Sequence, residues 1–169
     1  MPHFSPVYGR LVSITPMRNG NASSNCTLLF SVMSQDMGPV NFMVTPRTYV
    51  LEQETLKPGD SVIIFFDTMA PAPLIYPPQY TAVLMVKNEN NTYAAFDYFG
   101  EDLSNSDQTL RLNIPNHAAK NILLANGQTF FGNPGGHYLL VRYSVTTRSI
   151  PPITTPEKVI VFCSGEENV

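Results

Sequence analysis

The chain has 169 residues, 43% of them hydrophobic, and a net charge of −3 from 10 Lys and Arg against 13 Asp and Glu. That length fits one domain or two small ones, and that apolar fraction excludes wholesale disorder. Charged residues are only 14% of the chain and the cations are scattered, with Arg142, Arg148 and Lys158 the nearest approach to a cluster, so no polyanion-binding stripe shows.

The 15 prolines and 10 glycines, with many Thr, Asn and Ser, favour short strands joined by turns. "VYGRLVSIT" (7–15) alternates apolar and polar residues, the mark of a half-buried strand. "PMRNGNASSN" follows and reads as a loop around its Asn-Gly pair. "CTLLFSVMS" (26–34) and "PVNFMVT" (39–45) make a hairpin through "QDMG". Residues 48–56 fit a short helical turn, which Lys57-Pro58-Gly59-Asp60 ends. "SVIIFFD" (61–67) is apolar enough for a strand buried on both faces. The uncharged connector "APAPLIYPPQYTA" (70–82) leads into a fifth strand, "TAVLMVK" (81–87).

"NENNT" (88–92) is a polar break and the expected junction, giving a first unit at 1–88, a second at 89–163 and an acidic tail at 164–169. In the second unit "YAAFDYFGEDL", "SNSDQ" and "TLRLNIP" repeat the order of the first hairpin. "HAAKNILLANG" predicts a helical turn closed by Asn126-Gly127, and "GNPGG" a tight turn before the strand "HYLLVRYSV" (137–145). "TTRSIPPITTPE" is a second proline connector, and "KVIVFC" (158–163) the last strand. Gly59–Val86 laid over Gly135–Phe162 matches turn glycine, strand, proline connector and aliphatic strand, a pattern that predicts a tandem duplication.

The order across residues 7–87, and above all the turn and strand "KPGDSVIIFFD", resembles an OB-fold. The resemblance implies an all-β chain: a five-stranded Greek-key barrel, then a second, related β unit that lacks an obvious first strand, the two packed as one body. It also implies ligand contacts across strands two and three and on the loop after strand four, which makes Leu74, Ile75, Tyr76 and Tyr80 the candidate binding residues. The whole chain is similar to an uncharacterised family of small bacterial proteins sharing "LIYPPQYTA" and "TTRSIPP", a likeness that brings no activity with it.

Catalytic motifs are missing. "GNPGGH" lacks the Gly-Lys-Ser/Thr of a phosphate loop, there is no Gly-X-Ser-X-Gly elbow, and Cys26, Cys163, His3, His117 and His137 show no zinc spacing. Asp97, Glu101 and Asp102 read as solvated turn residues, and the two cysteines as buried thiols. The three Asn-X-Ser/Thr triplets, at Asn21, Asn25 and Asn90, reflect polar loops, since no secretory signal precedes them. No apolar run reaches the roughly 20 residues of a membrane helix. The sequence therefore predicts a cytoplasmic, non-enzymatic binding or assembly module without cofactor, metal or membrane contact. Its expected partner is another protein or a second copy; the alternative is a single-stranded nucleic acid or an oligosaccharide in an OB-type groove.

Overall fold

The computed structural model describes residues 2–19, 22–115 and 121–163, and the fold is all-β. The chain divides into two compact units, Met1–Asn90 and Asn91–Val169.

The first unit holds β1 (Phe4–Asn19), β2 (Ala22–Ser34), β3 (Gly38–Val44), β4 (Tyr49–Val50), β5 (Ser61–Asp67), β6 (Gln79–Thr81) and β7 (Leu84–Lys87). They pair in the order β4-β7-β5-β1-β2-β3-β6, a sheet as paired and not a closed ring. β1 organises the unit because it changes partner along its length. Phe4 to Arg10 lie against Asp67 to Ser61 of β5, while Gly9 to Asn19 lie against Ser34 to Ala22 of β2. At the changeover Gly9 has no side chain for a reason: a Cβ there would stand 2.5 Å from Met33 O and 2.7 Å from Val32 Cγ1. A register shift between Leu11 and Ser13 adds a bulge just beyond it.

Period-two alternation delivers the core. Phe30 and Val32 of β2, Val40, Phe42 and Val44 of β3, and Val62, Ile64 and Phe66 of β5 meet Val7, Leu11 and Met85 in one buried cluster. Ile63 and Phe65, on the other face of β5, are equally buried, as the unbroken apolar run predicts. β6 and β7 are one stretch of chain interrupted by Ala82 and Val83. β6 runs parallel to β3 and β7 antiparallel to β5. Between them, Ala82 N–H donates to Met43 O at 2.9 Å and Val83 N–H to Phe65 O at 2.8 Å.

The second unit holds β8 (Tyr93–Phe99), β9 (Arg111–Leu112), β10 (Ile122–Leu124), β11 (His137–Tyr143), β12 (Ile153–Thr154) and β13 (Lys158–Phe162). β10-β13-β11-β8 form one sheet and β9 pairs with β12. Antiparallel bridges Phe99↔Asn105 and Ser104↔Arg111 link β8 to β9 through residues 104–105. Pairing neighbours therefore run β10-β13-β11-β8-(104–105)-β9-β12. Each successive pair has the same sense, parallel or antiparallel, as its counterpart in the first unit. Its core gathers Phe99, Leu110, Leu112, Ile122, Leu139, Val141, Val159 and Val161.

Several expectations change. The predicted loop at 16–25 is largely strand: Pro16↔Leu28 and Met17↔Thr27 continue the β1–β2 ladder out to Asn19↔Ala22. Backbone pairing needs no apolar side chains, so a polar hairpin extension carries no periodic signal. The predicted helical turn at 48–56 is β4 followed by a 3-10 turn of three residues, Leu51–Gln53, interrupted by a positive φ at Glu52. In "HAAKNILLANG" Ile122–Leu124 is a strand parallel to β13, not helix, and residues 116–120 lie outside the described residues. A three-residue apolar run does not tell strand from helix by period. β8, the segment aligned with the first hairpin, holds the pairing position of β1, so the second unit does have a first strand. The acidic tail at 164–169 lies outside the described residues.

Candidate functional site

Between Asp67 and Gln79 the chain leaves the sheet. Pro71, Pro73, Pro77 and Pro78 have no N–H to give a ladder, so this stretch forms neither strand nor helix. Its ends are fastened. Thr68 N–H donates to His3 O at 2.8 Å. Asp67 Oδ1 accepts from Met69 N–H at 2.9 Å and from His3 N–H at 3.2 Å. At the far end Asn41 N–H donates to Pro78 O at 2.8 Å.

Between those anchors three of the four candidate residues face solvent in succession: Leu74 (104% exposed), Ile75 (53%) and Tyr76 (79%). Tyr80 does not join them. Its ring stacks on Phe66 at 4.1 Å and 17°, stands 6.2 Å from Phe42, and packs against the core. The Tyr76/Tyr80 pair expected to form one stacking surface is thus divided, one ring displayed and one built in. The division follows from β6: Phe42↔Tyr80 is a parallel pair, and Phe42 is fully buried.

The other residues considered from sequence have structural partners. Both oxygens of Asp97 lie 3.0 Å from the Ser106 hydroxyl. Asp102 accepts Ser104 N–H at 3.1 Å, a bond that holds its carboxyl below the usual range. Asn133 Oδ1 accepts Gly135 N–H at 2.9 Å inside the "GNPGG" turn, and Gly136 takes φ +83. His137 meets the Phe130 ring edge-on at 5.8 Å, His3 Nδ1 lies 3.3 Å from the Thr68 hydroxyl, and His117 is outside the described residues. Cys26 is exposed and Cys163 half-buried, so the expectation of two buried thiols fails. Among the described residues no helix is long and apolar enough to cross a membrane.

The second connector has more internal structure than its sequence conveyed. It contains β12, which runs parallel to β9, and it is anchored like the first: Arg111 N–H donates to Pro152 O at 2.9 Å, as Asn41 donates to Pro78 O. Ile150 stands at its tip, 99% exposed. The signal in "TTRSIPPITT" was the spacing of hydroxyl side chains around one arginine, which propensity rules read only as a polar loop.

The chain matches no protein-family model and no curated protein is a significant match to it, so the expected likeness to a family of small bacterial proteins finds no support there.

Proposed function

We propose that the chain is a protein-interaction module made of two OB-type units in tandem, and that connector 68–78 is its docking element, in the first instance for a second copy of the chain. The OB-type reading is supported by the position of one segment, 79–87, which bonds β3 on one side and β5 on the other. Duplication is supported by the recurrence of six neighbour pairings in the same order and sense.

The single observation that carries the function is the consecutive exposure of Leu74, Ile75 and Tyr76 in a stretch with no charge between Asp67 and Lys87. Exposed apolar residues are ordinary when scattered; a contiguous run of large ones on an anchored loop marks a contact surface. Its ends are fixed and its prolines restrict the backbone, so little ordering entropy is lost on docking. Base or sugar stacking is the less favoured use, because it would rest on Tyr76 alone.

Sedimentation equilibrium tests the reading. The full chain should show mass rising with concentration, and Leu74→Ser with Tyr76→Ser together should return it to a monomer with an unchanged unfolding midpoint. A strict monomer up to about millimolar concentration, the range of the weakest specific contacts, refutes self-association.

A further inference from the structure

The turn between β2 and β3 stands beside the far anchor of connector 68–78. Pro78 O meets β3 at Asn41 N–H, and two residues before Asn41 lies Pro39, the cross-strand partner of Met33. Met33 is also paired with Arg10 of β1, so Arg10, Met33 and Pro39 form one row across three strands. Their neighbours Val32 and Val40 are buried, which puts this row on the outer side of the sheet. Met37 sits in the turn itself. The backbone there is held, because Met37 N–H and Asp36 N–H both donate to Ser34 Oγ, at 3.0 and 3.1 Å. Of the large apolar side chains exposed in the first unit, all but Val12 belong to this end. Met69, Leu74, Ile75 and Tyr76 are on the connector, and Met33 (51% exposed) and Met37 (41%) are at the turn.

The two parts of this face are of opposite kinds. The connector is fastened at both ends and stiffened by its prolines, so Leu74, Ile75 and Tyr76 project from a fixed backbone. Met33 and Met37 are unbranched, polarisable side chains that re-pack around whatever shape meets them. A stiff knob and an adaptable seat thus adjoin on one surface.

We propose that a second copy of the chain covers this face about a twofold axis, the connector of each copy seated on Met33 and Met37 of the other. This rests on the docking role of connector 68–78 and adds the surface that receives it. Area, symmetry and charge all fit a second copy. The exposed fractions of the six side chains amount to about 750 Å² per copy, close to the roughly 800 Å² that each partner gives to a standard interface. A twofold contact needs one patch that carries both halves of the fit, which this face does. Its rim has one exposed charge of each sign, Arg10 and Asp36, so the twofold gathers no excess of like charge.

The test uses the full chain in sedimentation equilibrium. The wild type should pass from monomer to dimer and stop there, since a twofold contact closes on itself. Met33→Ser with Met37→Ser should weaken the dimer about a hundredfold, because the symmetry removes each side chain twice. Both methionines are exposed, so the unfolding midpoint should hold. Met37→Lys, a single change in the turn, should weaken the dimer at least about tenfold and reads the same seat if the double variant loses its fold. The decisive measurement mixes Met33→Ser/Met37→Ser with Leu74→Ser/Tyr76→Ser. Each variant alone has two broken seatings, whereas the mixed pair keeps one intact, so the mixture should associate about tenfold or more tightly than either alone. A methionine variant that dimerises like the wild type, beside a monomeric connector variant, would overturn this inference and leave the docking role of the connector standing. A mixture no tighter than its components, or a wild type that grows past the dimer, would overturn it as well. A strict wild-type monomer would overturn both readings.

Discussion

Replacing Tyr80 separates its part in the fold from that of Tyr76. Tyr80 lies 4.1 Å from Phe66 with the rings 17° from parallel, and packs against the cluster that includes Val40, Phe42 and Val44. Removing a fully buried aromatic ring costs about 3–5 kcal/mol. Tyr80 is half-buried, which places Tyr80→Ala nearer about 2–3 kcal/mol, including roughly 1 kcal/mol for the lost stacking. For a unit of this size that is a midpoint drop of about 10–20 °C. Tyr80→Phe keeps the ring and should stay within about 0.5 kcal/mol. Tyr76→Ala, removing a ring 79% exposed, should also stay within about 0.5 kcal/mol. Urea unfolding followed by circular dichroism measures all three, with equal slopes required so that the midpoints compare like transitions. A loss below about 1 kcal/mol for Tyr80→Ala, or an equal loss for Tyr76→Ala, would refute the assignment of one ring to the core and the other to the surface.

Other positions give equally direct tests. Gly9→Ala places a methyl 2.5 Å from Met33 O, a backbone atom that cannot swing away, and should cost about 1–3 kcal/mol in the same assay. Gly38→Ala has open space but sits at φ +72, so its cost should be the left-handed penalty alone, about 1 kcal/mol. Asn105→Ala strands Thr109 N–H and Leu110 N–H, which Asn105 Oδ1 accepts at 2.9 and 3.0 Å. Because Leu110 is buried, about 2–3 kcal/mol should be lost. The Asp102 carboxyl titrates below its ordinary range in the folded chain because Ser104 N–H donates to it, so its contribution is complete above the unfolded carboxylate value and is lost as pH falls below that value and through the lowered folded one. Acid unfolding monitored below about pH 4 should therefore be shallower for Asp102→Asn than for the wild type.

What the sequence disclosed and what it concealed divide along one physical line. β5 was legible because five consecutive buried apolar residues, Val62 to Phe66, have no other reasonable place. The Asn126-Gly127 turn was legible because Gly127 takes φ +87, which its residue type favours. The outer ladder of β1 and β2 was not, since strands paired beyond the core need only their backbones. Tyr76 and Tyr80 were indistinguishable locally: both are tyrosines near prolines, and only the parallel register of β6 on a strand some forty residues earlier turns one of them inward.

The two connectors extend that reasoning to function. Each leaves a central strand, passes a Pro-Pro pair, and is caught by the same backbone bond, Asn41 N–H to Pro78 O in one unit and Arg111 N–H to Pro152 O in the other. Each then becomes a short strand parallel to its neighbour. A scaffold that fixes both ends of a loop leaves the residues between free to differ without cost to the fold. In the first unit those residues are apolar and uncharged; in the second they are an arginine between two hydroxyl residues that bond each other and the returning chain. Substitutions confined to 72–76, or to Arg148 and Ile150, should therefore change what each loop contacts while leaving the stability of its unit nearly unchanged. Substitutions at the catch points, such as Thr154→Val, which removes the hydroxyl bonded to Val145 O, should loosen the loop by about 1 kcal/mol. Hydrogen exchange at Thr147 and Ile153 reads that loosening directly; protection unchanged by Thr154→Val would mean that the neck bond does not brace the loop.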